Sequence, residues 1–365
     1  MKRVVLILAT VLLGVAAGAQ TRWIDPLKEG AEVHGQGWAE LNGTYRRLPD
    51  KAKDSVRERV WDLSLQPSGL SIVFRSNATS LTVRYRTTGP RNMWHMSTSA
   101  MSGVDLFVRD SEDREHHYAP DFTPYFGETI TYRYSKLDYA EGETSREYHL
   151  YLPLFNELEQ LELGIPEDAD LTFVPRSGKK AIVIYGTSIV HGGCASRPGN
   201  TWPTIIERDF RHPVVNLGFS GQGKMEPEII KLMAGLNADL YILDCIPNMI
   251  DGDPVGQRLR DAVKILREAG DCPILITEHA GAGCAEVVGR QNEFETFNIE
   301  QKETYDALVA EGWKNLYYLS CDELGIGEDC KVDGIHPNDL GMRRYADAYE
   351  AIITEIFYKQ LLERL

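Results

Sequence analysis

A serine that attacks an ester needs three things: a base for its proton, a carboxylate to hold that base, and N–H donors for the oxyanion. The chain holds one ordered set of such residues. Ser188 closes the segment Ile184-Tyr185-Gly186-Thr187-Ser188, directly after the apolar run Ala181–Tyr185. A serine at a strand end, with glycine close before it, can present its hydroxyl and its backbone N–H at one turn. Taken alone the signal is weak, because serines at strand ends also cap the helices that follow.

Nine histidines are available as the base. His34, His95, His116, His117 and His149 lie in the first half of the chain. His191 stands three residues beyond Ser188, too short a span to fold its ring over the hydroxyl. His212 precedes a strand-like run and reads as structural, whereas His279, beside Glu278, is a competitor. His336 is the preferred base. It stands in Asp333-Gly334-Ile335-His336-Pro337, where Asp333 can turn back to one ring nitrogen and leave the other for the serine. Asn338 or Asp339 can cap the last helix from the same turn. Two more strand ends offer oxyanion donors: a backbone N–H of the Gly-rich segment Asn216–Gly223, and the side-chain amide of Asn248 in Asp244–Met249.

The elements that must carry these residues follow from the apolar pattern. Ala181–Tyr185, Pro213–Leu217, Asp239–Leu243, Pro273–Thr277 and Leu316–Leu319 are compact apolar runs of the kind buried on both faces of a parallel sheet. Helical segments alternate with them: Trp202–Arg211 after Thr201, a helix opened by Pro227, and Val255–Ala269 with apolar residues at 255, 259, 262, 263 and 266. The pattern predicts an α/β domain, a three-layer doubly wound parallel sheet, over residues 171–365, with reactive groups on loops at the C-terminal ends of its strands. Residues 20–170 read differently. Short alternating runs, among them Arg59–Leu63, Gly69–Phe74, Ser80–Tyr85, Val104–Val108 and Glu147–Leu152, are separated by turn residues. They predict an all-β sandwich of jelly-roll type and no helix-length period.

The order Ser, Gly, Asn and Asp-x-x-His at successive strand ends resembles the SGNH (GDSL-type) hydrolase family over residues 180–360. The resemblance implies an SGNH/flavodoxin-like fold. It makes Ser188 the nucleophile and first oxyanion donor, Gly221 and Asn248 the other donors, His336 the general base and then acid, and Asp333 its orienting partner. Two departures stand out. Thr187 replaces the aspartate of the usual Gly-Asp-Ser block, and Ile246-Pro247-Asn248-Met249 replaces Gly-x-Asn-Asp. The first leaves the triad intact, and the second changes the neighbours of Asn248. Ser102-Gly103-Val104-Asp105-Leu106-Phe107 is similar to the Gly-x-Asp-Leu-Tyr motif of the β-domain that precedes a bacterial subgroup of these enzymes, with Phe107 for Tyr. Gly192–Gly199 adds to that match. The subgroup is associated with polysaccharide deacylation.

The remaining features set the context. Lys2 and Arg3, the apolar run Val4–Val15 and Ala17-Gly18-Ala19 form a signal peptide over residues 1–19, with cleavage at Ala19-Gln20. The run is short for a membrane span, and no later segment is long and apolar enough to be one. Periplasmic or extracellular export is therefore expected. Without Lys2 and Arg3 the formal net charge falls from −15 to −17, which disfavours nucleic acid and anionic membranes as partners. The six cysteines (194, 245, 272, 284, 321 and 330) all lie in the second half. Cys245 and Cys272 read as small buried hydrophobes, and Cys321 and Cys330 could pair. No Cys or His spacing suggests a zinc site, so no cofactor or metal is expected and EDTA should leave the rate intact.

Three functions compete. The first is an esterase for O-acetyl groups on carbohydrate, with Trp94, Trp202 or Trp38 as sugar platforms. The second is a lipid-directed esterase, a lysophospholipase or thioesterase, for which rates would peak at eight or more acyl carbons. The third is a non-catalytic glycan-binding protein with a relict triad. In either esterase His336 must be neutral to take the serine proton, so the rate should fall on acidification.

Overall fold

The computed structural model describes residues 20–122, 124–137, 145–289 and 294–363. Residues 1–19, expected as a signal peptide, lie outside the described residues. Fifteen strands and ten α-helices are described. The strands are β1 (Thr21–Ile24), β2 (Ser71–Ser76), β3 (Ser80–Thr87), β4 (Asp105–Arg109), β5 (Glu115–Tyr118), β6 (Tyr125–Phe126), β7 (Ile130–Ser135), β8 (Arg146–Tyr151), β9 (Leu158–Pro166), β10 (Leu171–Phe173), β11 (Ala181–Gly186), β12 (Val214–Gly218), β13 (Ala238–Asp244), β14 (Ile274–Thr277) and β15 (Leu316–Leu319). The helices are α1 (Glu58–Ser64), α2 (Thr98–Ser102), α3 (Ser188–His191), α4 (Trp202–Phe210), α5 (Pro227–Ala234), α6 (Val255–Ala269), α7 (Ala285–Val288), α8 (Glu295–Ala310), α9 (Cys321–Leu324) and α10 (Asp339–Glu363).

The last five strands form one parallel sheet in the order β12-β11-β13-β14-β15. This is the flavodoxin-like 2-1-3-4-5 order, which reverses direction beside the first strand and opens a crevice at the C-terminal strand ends. β11 is buried at every position, as a central strand with helices on both faces must be. Val183 and Tyr185 enter one core with α5, α6 and α8, while Ile182 and Ile184 enter the other with α4 and α10. α6 buries Val255, Leu259, Ala262, Val263 and Leu266 along one face, and its apolar spacing alone produces that stripe. Each large apolar side chain there contributes about 1.5–3 kcal/mol.

The first half is a sandwich of two antiparallel five-stranded sheets, β1-β9-β3-β7-β6 and β10-β2-β8-β4-β5. β3 alternates buried and half-buried residues from Ser80 to Tyr85, and its inward Leu81, Val83 and Tyr85 join the sandwich core. The sandwich runs slightly past the expected boundary at residue 170, because β10 pairs with β2.

One segment departs from the sequence reading. Arg59–Leu63, expected as a strand, lies in α1. Five residues with Val60, Trp61 and Leu63 apolar satisfy a period of 2 and one of 3.6 almost equally. The helix wins because Val60, Trp61 and Leu63 pack into the α/β core, beside Leu217 and Phe219, and not into the sandwich. Arg47, in the chain that leads to α1, is 2% exposed. Its guanidinium donates to the carbonyl oxygens of Leu63, Gln66 and Gly218 at 2.7 Å and of Asn216 at 3.2 Å. Burial pulls its pKa down to about 9. The early chain is thereby bolted to the end of β12, next to the Gly221 turn.

The Gly-x-Asp-Leu-Phe motif has a related task. The Asp105 carboxylate, 3% exposed, takes the Gly199 N–H at 2.9 Å, pairs with Arg197, and faces His117 Nε2 at 2.8 Å. A Cβ on Gly199 would stand 2.4 Å from the Phe107 ring and 2.6 Å from Asp105 Oδ2, so only glycine fits. The sandwich is thus tied to the loop that follows Ser188, and its turn at 93–96 is held at the rim of the crevice.

All six cysteines are free thiols, so Cys321 and Cys330 do not pair. Cys245 is buried as expected, and Cys272 is half-buried. No helix among the described residues is long and apolar enough to cross a membrane.

Candidate active site

Ser188 is the first residue of α3, immediately beyond β11. Thr187 is the N-cap and accepts the Ile189 N–H at 3.3 Å. Threonine and aspartate both cap through a side-chain oxygen, which accounts for Thr187 in place of the usual Asp. The N–H of Ser188, in the first turn, has no acceptor within the helix and is available to a ligand.

His336 comes to Ser188 from the loop before α10. Its Nε2 stands 2.8 Å from Ser188 Oγ, and its Nδ1 stands 2.7 Å from Asp333 Oδ2. Asp333 Oδ1 accepts the backbone N–H of His336 at 2.8 Å and of Ile335 at 3.1 Å. Partial burial alone would raise the Asp333 pKa. The backbone and ring N–H of His336 and the Ile335 N–H outweigh it and hold the carboxyl below the usual carboxylate range. An ionised Asp333 requires a proton on Nδ1, which leaves Nε2 free to accept from Ser188.

Gly221 and Asn248, expected from the sequence as the further oxyanion donors, follow β12 and β13 on neighbouring strand ends. Gly221 follows β12 in the left-handed region, φ 71°, with nothing within 4 Å of where a Cβ would be. Asn248 ends a 3-10 turn after β13, and its Oδ1 accepts the Gly223 N–H at 3.0 Å. That bond fixes the amide orientation and turns Nδ2 away from Gly223. Gly223 itself must be glycine, since a Cβ would meet Gly186 O at 2.1 Å. The altered neighbours of Asn248 have a packing reason: Ile246 and Met249 are buried in the α/β core.

Two other histidines find structural places. His191 is fully buried, stacked on Phe155 at 4.1 Å. Its Nε2 lies 2.8 Å from Leu154 O, and its Nδ1 receives the Ser220 N–H at 3.4 Å. Burial, with the nearby Arg47, drives its pKa well down, so the ring is neutral and bridges the end of the sandwich chain to the Gly221 turn. Sequence reasoning set this residue aside as too close to Ser188, and its only signal was that proximity. His279, the competing base, is 1% exposed and stacks on Phe294 at 3.8 Å, with neither ring nitrogen hydrogen-bonded among the described residues. Burial pushes its pKa down to about 3.

The tryptophans separate cleanly. Trp94 is 83% exposed and stacks at 4.4 Å on His95, whose ring lies 5.4 Å from that of His336. Trp202 is no platform: it is fully buried and stacks on Tyr349 at 4.1 Å. Trp38, 7% exposed, likewise belongs to the core. Both were expected as sugar platforms on residue type alone, which does not distinguish a core indole from a surface one.

Residues 179–354 match the GDSL-like lipase/acylhydrolase family model, and residues 21–171 match the GxDLY model of the N-terminus of SGNH hydrolase-type esterases. Among solved structures the chain is similar to a GDSL-like lipase from Bacteroides ovatus: 28% identity, 93% of this chain and 98% of that one covered, TM-score 0.85. It is also similar to SsfX3, a salicylyl-acyltransferase from a tetracycline biosynthetic pathway (21%, 92% and 97%, TM-score 0.72). A family two carbohydrate esterase from Cellvibrio japonicus is a further likeness (11%, 92% and 98%, TM-score 0.54). The last two likenesses show a shared fold. No curated protein matches the chain.

Proposed function

Because the chain belongs to the SGNH (GDSL-type) hydrolases and is thus a hydrolase of ester bonds, we propose that it removes O-acetyl groups from carbohydrate through an acyl-enzyme on Ser188. The observation that carries the proposal is the chain of contacts from Ser188 Oγ to His336 Nε2 (2.8 Å) and from His336 Nδ1 to Asp333 Oδ2 (2.7 Å). In the first step Ser188 Oγ bonds to the ester carbonyl carbon and its proton passes to His336 Nε2. The carbonyl oxygen becomes an oxyanion facing the Ser188 and Gly221 N–H groups and Asn248 Nδ2. Collapse breaks the bond to the sugar oxygen, which leaves with the proton from His336. Water then repeats the sequence on the acyl-enzyme, with His336 again as base, and acetate is released.

The carbohydrate part of the proposal rests on Trp94. An indole 83% exposed beside the crevice, backed by the His95 ring, offers a flat apolar face to a sugar ring. The formal charge also disfavours an anionic lipid surface. Residues 1–19 are proposed to direct export and to be cleaved before Gln20, which N-terminal sequencing of the protein from its native host would read directly.

The test is acetate release from acetylated xylan, pectin, mannan and sialoglycans by wild type and by Ser188→Ala. The expected result is release from at least one glycan by wild type and none above background by the variant. Unchanged turnover in Ser188→Ala refutes the nucleophile, and rates that peak at eight or more acyl carbons refute the acetyl preference.

A further inference from the structure

The wall of the crevice carries a second set of chemistry-bearing groups, assembled from three stretches of chain. One ligand atom from each of His95, Cys194, Asp333 and His336 lies within 4.8 Å of the others. His95 comes from the sandwich turn closed by the Met93–Met96 bridge, Cys194 from the segment after α3, and the other two from the last loop. Sequence spacing gave no hint of such a cluster, because only Asp333 and His336 are near each other in the chain.

Several observations single it out from ordinary crowding at a catalytic site. Cys194 is 7% exposed and held at φ 68°, and its Sγ–H reaches the His95 carbonyl at 3.5 Å. The thiol is thereby fixed on the sandwich turn. His95 Nδ1 is buried and has no hydrogen-bond partner among the described residues, an arrangement that normally costs energy unless something fills it. The His95 ring is confined between Trp94, at 4.4 Å, and His336, at 5.4 Å. One thiol, two imidazoles and a carboxylate make the mixed N/S/O donor set preferred by Zn²⁺. Ligands about 2.0–2.3 Å from a tetrahedral ion stand roughly 3.3–3.8 Å from one another. Closing 4.8 Å to that spacing needs movements of about 1 Å, within reach of small side-chain rotations.

We propose that His95, Cys194 and His336, with Asp333 at their edge, form a binding site for Zn²⁺ that reversibly shuts off the esterase. The ion is an inhibitor and not a cofactor. Binding releases the Cys194 proton to solvent and forms a Zn–S bond. A metal–nitrogen bond to His336 takes up the lone pair that would otherwise accept the Ser188 proton, so the nucleophile loses its base. The site is independent of which ester is the substrate. Its inhibitory effect rests on the proposed role of His336.

The experiment uses residues 20–365 with thiols reduced, and reads binding and activity separately. Binding is read with Co²⁺, whose thiolate charge-transfer absorption reports a metal–sulfur bond. Activity is read as 4-nitrophenyl acetate hydrolysis against buffered free Zn²⁺. Wild type should develop the Co²⁺–thiolate band and lose at least tenfold in rate at micromolar Zn²⁺, with full recovery in EDTA. Cys194→Ala should keep the EDTA rate of wild type and lose both the band and the inhibition. His95→Ala, compared with its own EDTA rate, should lose most of its zinc sensitivity. Ser188→Ala should keep the Co²⁺ band, so a failure of the esterase reading leaves the metal site testable. Absence of the band in wild type, or equal zinc sensitivity in Cys194→Ala and wild type, overturns the proposal.

Discussion

Asp333→Asn isolates the electrostatic and tautomeric part of the site from its geometry. Asp333 accepts three hydrogen bonds: the ring N–H of His336 at Oδ2, and the N–H groups of His336 and Ile335 at Oδ1. In the asparagine variant the oxygen can stay on the two backbone donors, so the loop keeps its shape. The NH2 group then replaces Oδ2 and donates to Nδ1. The ring must carry its proton on Nε2, where it faces Ser188 Oγ as a donor and no longer as an acceptor. By analogy with the serine-protease triad, the loss in kcat should be about 10⁴-fold, or roughly 5.5 kcal/mol of transition-state stabilisation at 1.36 kcal/mol per tenfold. Exchanging a charge-assisted bond for a neutral one should alter folding stability by only about 1 kcal/mol. The assays are kcat on 4-nitrophenyl acetate and a urea unfolding curve on the same preparation. A loss below about 30-fold would mean that Asp333 does not set the tautomer. A matching collapse of stability would mean that its contribution is structural. The depressed Asp333 pKa adds a sign: its stabilisation is present above the unfolded value of 3.8, disappears as pH falls through the lower folded value, and is absent in the variant.

Three further outcomes are expected. Asn248→Ala should cut kcat by about 10²–10³-fold with little change in KM, as for loss of one oxyanion donor. Asn248→Asp, which keeps an acceptor for the Gly223 N–H, should not rescue it. Trp94→Ala should lower kcat/KM on acetylated oligosaccharides by about 2–12-fold, the equivalent of a 0.5–1.5 kcal/mol stacking contact, and leave 4-nitrophenyl acetate unaffected; equal loss on both would refute the platform. His279→Leu should retain turnover. Because His279 is held down to about 3, the unfolded chain takes up a proton that the folded chain refuses as pH falls from about 6.5 toward 3. Stability is therefore lost in that window, and the stability difference in favour of His279→Leu should grow by up to about 1.4 kcal/mol per pH unit across it. A difference that does not vary with pH in urea titrations would contradict the burial argument.

The Arg47 and Asp105 contacts recast the sandwich as part of the catalytic scaffold. Arg47 spends its donors on backbone carbonyls at the end of β12, and Asp105 ties β4 to Gly199 and Arg197. His191 adds a third tie, from Leu154 to Ser220. Each meets a loop that carries or adjoins Ser188 or Gly221, so the two halves hold the crevice walls together. A sandwich of this kind positions Trp94 and His95 without needing affinity for glycan of its own.

The placement of Ser188, Gly221 and Asn248 just beyond successive strands was legible in the sequence because the parallel sheet makes chain order equivalent to position. Each apolar run is a strand, each strand end opens on the same side, and the residues after the runs must converge. The Asp333–His336 contact was legible for a different reason: three residues of turn suffice to fold the carboxylate back onto the ring. What depends on packing between distant segments left no local periodicity to read. Residues 59–63 became a helix because the α/β core, and not the sandwich, received Val60, Trp61 and Leu63. Trp94 and Trp202 are the same residue type, and only the tertiary structure sent one to the rim and the other against Tyr349. The meeting of His95 and Cys194 with His336 likewise exists only once the sandwich turn is docked, since it joins groups whose separation along the chain carries no information about their separation in space.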